Sequence, residues 1–104
     1  MYKYIMMPAA IGDLQQIGDY TSNDLCAPES AVALLNDIHQ AIQRACVFPM
    51  SLPLEQHEYF RPYGLRKIIV KNYIVLVIPD VDKQELNVIR VLYHARDYVK
   101  ALLN

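Results

Sequence analysis

The run from Leu86 to Tyr93 constrains this chain more than any other stretch, because both of its alternating sets are apolar. Leu86, Val88 and Leu92 fall on one side, and Ile89, Val91 and Tyr93 on the other. A strand with one solvated face alternates apolar and polar residues, whereas this one reads as covered on both faces and therefore central in a sheet. Arg90 is the charged exception within it.

Two strands precede it, Leu65 to Val70 and Tyr73 to Ile78. Lys71-Asn72 between them suits a tight turn in which Asn72 takes the positive φ, and Pro79 to Gln84 forms a polar second turn. Two successive hairpins give an antiparallel meander. The first half of the chain has a different period. Tyr2 to Met7 reads as a short strand ended by Pro8, which cannot donate to a ladder. From Ala10 the spacing turns helical, with Ala10, Leu14 and Ile17 on one face and Asp13 near the positive N-terminal end, and this helix is expected to reach about Ser22. After a connection over residues 23–27, Pro28 suits the first position of a second helix of roughly 18 residues. Its stripe is Ala31, Leu34, Leu35, Ile38, Ala41, Ile42 and Ala45. The short connection makes the pair an antiparallel hairpin. Between Val47 and Gly64 periodicity is lost among Pro49, Pro53 and Pro62, a long loop of the kind that often carries function. Asp97 to Leu103 is expected to add a short closing helix, with Val99, Leu102 and Leu103 folding back on the sheet. The order β-α-α-β-β-β with this C-terminal turn describes an α+β sandwich: a helical hairpin on one face of an antiparallel sheet.

The length of 104 residues suits a single domain spanning 1–104. With 54% apolar and 20% charged residues and three glycines, the composition is that of a folded protein. No apolar run approaches the ~20 residues of a membrane span, and Met1 to Met7 is too short for a signal peptide, so a cytoplasmic protein without a membrane partner is expected. Cys26 and Cys46 fall near opposite ends of the second helix, about 27 Å apart at 1.5 Å per residue, which predicts two free thiols.

The net charge of −1 hides an asymmetry. Residues 1–60 carry two cations against seven carboxylates, a balance of −5; residues 61–104 carry eight against four, a balance of +4. A split of this kind can turn one face towards an acidic partner, although solvated Lys and Arg are also ordinary on strands. The sequence has no Gly-rich phosphate loop, G-x-S-x-G or H-E-x-x-H, and His39, His57 and His94 lack metal-ligand spacing, so neither a metal nor a small-molecule cofactor is expected. What remains is a cluster of cations and aromatics along the meander: Arg61, Tyr63, Arg66, Lys67, Lys71, Tyr73, Arg90, Tyr93, His94, Arg96 and Tyr98. Cations stabilise phosphates, rings stack on bases, and His or Tyr can relay protons. The same residues suit docking on an acidic protein surface, and strand tyrosines also pack simply as cross-strand pairs.

Tyr4, Pro8 to Ala10, Asp13-Leu14, Ile17 to Tyr20, Pro28, Phe48-Pro49, Leu65 to Ile68, Asn72 to Val75 and Val88 to Asp97 follow one another in an order and spacing that resembles the RelE/ParE family of toxins from type II toxin–antitoxin systems. The stretch from Arg90 to Asp97 is the strongest part of the likeness. The resemblance implies a small α+β toxin of RelE/ParE-like fold that causes growth arrest and is neutralised by a cognate antitoxin, whose flexible C-terminal segment orders on an apolar groove of the toxin. It also implies two incompatible mechanisms. ParE-like members poison DNA gyrase through protein contacts, and RelE-like members cut mRNA in the ribosomal A site.

RelE-like nucleases typically carry an Arg directly after the strand Tyr equivalent to Tyr73, where this chain has Ile74. Losing that cation is costly for cleavage, because charge stabilisation is usually the largest catalytic term. The ending Leu92 to Asp97 looks more ParE-like, and a pI near 6.2 lacks the basicity expected of a ribosome binder. The ParE-like reading leads, with Arg61, Arg66, Lys67, Arg90, Arg96 and Tyr98 as target-binding candidates. In the alternative, a ribosome-dependent mRNA endonuclease, the catalytic candidates are Arg66, Arg90, Tyr93, His94 and Arg96, with Glu55 or Glu58 as a possible base. Arg96 lies where the resemblance places a second functional Arg.

Overall fold

The computed structural model describes residues 1–94 together with Lys100 and Leu102. Strand β1 (Lys3–Met6) leads into helix α1 (Pro8–Asp19), and helix α2 (Pro28–Ala45) follows. Strands β2 (Arg66–Val70), β3 (Tyr73–Asp80) and β4 (Glu85–Tyr93) complete a four-stranded sheet in the order β1-β4-β3-β2. The α+β class and the element order agree with the sequence. Pro8 does more than end β1: it occupies the first turn of α1, where its missing N–H costs nothing. Helical backbone continues past Asp19 as a π-helical turn, Tyr20–Asp24, and Cys26 then takes a φ of 51° to reverse the chain into α2. The two cysteines are free, Cys46 buried and Cys26 exposed.

The sheet is mixed where an all-antiparallel one was expected. β2–β3 and β3–β4 pair antiparallel, but β1 runs parallel to β4, with Lys3 opposite Glu85 and Met6 opposite Val88. The helical hairpin between β1 and the meander makes this possible, since parallel strands need a long crossover. The amide of Tyr2 bonds the carbonyl of Cys46 at 2.9 Å, so α2 returns the chain to the start of β1. β4 thus lies inside the sheet as expected, with β3 along its length and β1 beside Glu85 to Val88.

Two cores result. Helix residues Ala10, Ile17, Ile38 and Ile42 pack on Val75, Val77, Leu86, Val88 and Val91. On the opposite face Ile74, Leu76 and Leu92 are covered by Phe60 and Leu65, with Leu102 against them. Val75, Leu76, Val77, Leu86 and Val88 have no exposed surface. Leu102 thus packs against the sheet as expected; Val99 and Leu103 lie outside the described residues.

The loop over residues 47–64 is shaped by two short 3-10 turns, Pro49–Ser51 and Arg61–Tyr63, and by a bridge between Leu54 and Arg66. Gly64 ends it at φ 70°, a left-handed conformation that suits glycine. In the β2–β3 turn the positive φ falls on Lys71, at 52°, rather than on Asn72.

Candidate functional site

β1 stops opposite Val88, so among the described residues no strand lies beside the outer edge of β4 beyond that point. Helix α1 fills the gap. The register between β3 and β4 shifts at Leu76 and Val77, which leaves Ile89 as an extra residue before Arg90. Asp13 was expected near the positive N-terminal end of its helix; it stands beyond the first turn of α1 and is buried, 8% exposed, against β4. Its Oδ2 accepts the Val91 amide at 2.9 Å, a bond that a neighbouring strand would otherwise supply. The same oxygen accepts Arg90 Nε–H at 2.7 Å, and Oδ1 accepts Arg90 Nη2–H at 2.9 Å. This two-pronged geometry is the strong form of the carboxylate–guanidinium pair. The Asp13 hydrogen bond holds the Arg90 guanidinium above its usual range, against the opposing effect of burial.

Beyond the pair, α1 and the edge of β4 diverge into a cleft of about 420 Å³ lined by Asp13, Gln16, Ile17, Tyr20, Tyr73 and Tyr93. Tyr73 and Tyr93 face each other across the β3–β4 register, with ring centroids 5.7 Å apart and planes at 84°. Burial raises the Tyr73 phenol above its ordinary value, and the nearby Tyr93 and Tyr20 phenols push it the same way. The three rings also border a second cleft of about 400 Å³ that runs past Leu25 to Lys71. Lys71 is paired there with Asp37 at 2.7 Å.

The sequence-derived candidates divide between several places. Tyr73 and Tyr93 meet at the end of β4, followed by exposed His94, whose amide bonds the Asn72 carbonyl at 2.6 Å, while Arg90, three residues back along β4, reaches the cleft only through its partner Asp13. Arg66 lies opposite Val77, four residues along β3 from Tyr73, or about 13 Å at strand rise. Its Nη1 donates to the carbonyls of Met50 and Leu52, at 2.9 and 2.7 Å. Lys67 Nζ lies 3.9 Å from the buried carboxylate of Glu55, which also accepts the His57 amide. Arg61 donates to the Gln56 carbonyl at 3.3 Å within the loop, where Tyr59 and Tyr63 sit 6.1 Å apart. Glu58 is exposed in the same loop. Arg96 and Tyr98 lie outside the described residues. Among the described residues no three metal-ligating side chains come together.

Sequence reasoning passed over Asp13, Gln16 and Tyr20. The available signal was Asp13 itself, an acid three residues after Ala10 and four before Ile17, on the apolar face of its helix.

No curated protein matches the chain. Among solved structures it resembles a chain of the chromosomal ParDE toxin–antitoxin system from P. aeruginosa, with a TM-score of 0.72 at 18% identity, covering 89% of this chain and 96% of that one. It also resembles a chain of the toxin–antitoxin complex RelBE2 from Mycobacterium tuberculosis, with a TM-score of 0.63 at 17% identity, covering 91% and 93%. At these identities the likeness carries the fold, and it agrees with the RelE/ParE-like architecture expected from the sequence. The model of the family described as the ParE toxin of the type II toxin–antitoxin system parDE matches residues 4–98. This chain belongs to that family of toxins.

Proposed function

We propose that this toxin arrests growth in the cytoplasm by binding DNA gyrase, and that it cuts no RNA itself. The observation that carries the reading is Ile74, which is 3% exposed within the second core. It stands where the resemblance places the phosphate-stabilising Arg of RelE-like nucleases. Among the described residues the neighbouring cations are engaged within the protein: Arg90 by Asp13, Lys71 by Asp37, and Arg66 by loop carbonyls. A toxin that binds its target needs no cation held ready for a phosphate, whereas a nuclease loses its largest catalytic contribution without one. In this reading Arg61, Arg96 and Tyr98 contact the target, and Arg66 and Arg90 act through the surfaces they hold in place.

The partner that neutralises it is a cognate antitoxin. A groove of about 310 Å³ between α2 and β2 includes Ala41, Ala45, Phe48, Leu52 and Ile69 in its lining. Phe48 and Ile69 are 74% and 64% exposed beside the outer strand of the sheet, which suits an extended apolar segment that orders on binding.

Two assays on one preparation test the target. Gyrase-mediated DNA cleavage should rise with added toxin while mRNA on translating ribosomes stays intact. Codon-spaced cuts in that mRNA, with gyrase unaffected, would instead establish the endonuclease.

A further inference from the structure

The cleft at the end of β4 has the features of a cation-accepting cage. Its walls are aromatic: Tyr73 and Tyr93 stand at 84° to each other, and Tyr20 closes the side formed by α1. The cage is reachable, since Tyr20 and Tyr93 are 52% and 50% exposed. Each polar side chain in its lining, Gln16 included, can accept a hydrogen bond. The His94 amide points to Asn72 in the β2–β3 turn and the Val91 amide to Asp13, so strand alternation turns the Val91 carbonyl towards the cleft as well. The phenol oxygens and Asp13 Oδ1 add further acceptors. Asp19 and Asp24 flank Tyr20 along the chain, and among the described residues the adjacent cations, Arg90 and Lys71, are each paired with a carboxylate.

We propose that this cleft is a binding site for an arginine side chain presented by a partner protein. A guanidinium stacks on one ring while its in-plane N–H groups reach acceptors at the edge of the other, a fit that a compact ammonium makes less well. Aromatic walls also suit nucleobases, but a nucleotide brings phosphates, and among the described residues the two cations next to this cleft are each paired with a carboxylate. The site does not depend on which target the toxin takes.

The test is a heteronuclear NMR titration of the intact protein at fixed ionic strength with N-acetyl-arginine amide. The neutral isostere N-acetyl-citrulline amide and a tetra-adenylate are run in parallel. Saturable shifts at residues 16–20 and 91–93 are expected with the arginine derivative, with binding about tenfold weaker for citrulline. Tyr93→Phe, which keeps the ring, should bind within about twofold of wild type; Tyr93→Leu should weaken binding about fivefold while spectral dispersion stays native. Tyr20→Leu, at another exposed position, should do the same. Equal binding of citrulline, arginine-induced shifts confined to other residues, or saturation of these resonances by tetra-adenylate without arginine binding would each overturn the proposal.

Discussion

Arg90 and Asp13, 77 residues apart in the chain, meet in a two-pronged ion pair that ties the middle of β4 to the buried side of α1. The side chains are 25% and 9% exposed, so both charges are largely out of water. Breaking such a pair leaves an uncompensated charge, whereas removing both partners relieves it. Asp13→Ala also strands the Val91 amide and should cost about 3 kcal/mol. Arg90→Met should cost less, because Asp13 keeps its bond to that amide. The double variant should be more stable than the sum of the single effects predicts, by at least about 1 kcal/mol. Urea unfolding of the four proteins measures this coupling, and simple additivity would show that the two residues do not act as a pair.

Tyr73 makes stability depend on pH at the alkaline end. Its phenol is raised by burial and by the phenols of Tyr93 and Tyr20. Below the ordinary tyrosine range near pH 10 it is protonated in both folded and unfolded chains, and its contribution is fully present. Above that range the unfolded chain releases the proton while the folded one retains it, so stability falls until the raised folded value is passed. Wild type should therefore lose stability more steeply than Tyr73→Phe as pH is raised from about 9 to 11. Parallel slopes for the two proteins would mean that Tyr73 is not perturbed.

Arg66 holds a loop. Its two bonds to the carbonyls of Met50 and Leu52, with the bridge from Leu54, pin residues 50–54 to the start of β2. Arg66→Met keeps the aliphatic packing and removes the donors. Amide exchange in the Pro49–Ser51 turn should then accelerate, with a global loss of about 1 to 2 kcal/mol. Unchanged protection across residues 49–55 would show that the guanidinium is not what orders the loop.

These dependencies mark how much was legible in the sequence. The stripe of α2 and the two-sided apolarity of Leu86 to Tyr93 were readable because each is a local pattern, but the division of that strand into faces was not: the extra residue Ile89 puts Val91 with Leu86 and Val88 and turns Leu92 to the opposite core. The direction of β1 was not, because it depends on which strand β1 meets after a long crossover rather than on its own residues. Asp13 was misplaced for a related reason. Alone it reads as a favourable charge near a helix N-terminus, and only the gap left where β1 ends gives it a buried donor to satisfy. Arg90 was visible as an anomaly in an apolar strand, but its partner lies 77 residues away. Tyr20 reads as a helix-end residue until the π-helical turn brings it beside Tyr73 and Tyr93.

Gln84 offers a stabilising change. It holds a φ of 52° immediately before β4, and its carbonyl accepts the Lys3 amide at 3.0 Å, so its backbone helps set the parallel register of β1. A left-handed residue with a Cβ costs roughly 1 to 2 kcal/mol. Glycine removes most of that strain at a smaller cost in unfolded-state entropy. Gln84→Gly should therefore gain up to about 1 kcal/mol, which for a domain of this size raises Tm by roughly 4 °C. Gln84→Val should lose more than glycine gains, since a β-branched residue is least tolerant of positive φ. If thermal unfolding finds the two variants equally stable, the turn does not hold Gln84 in the left-handed region, and the register of β1 must be set by side-chain packing instead.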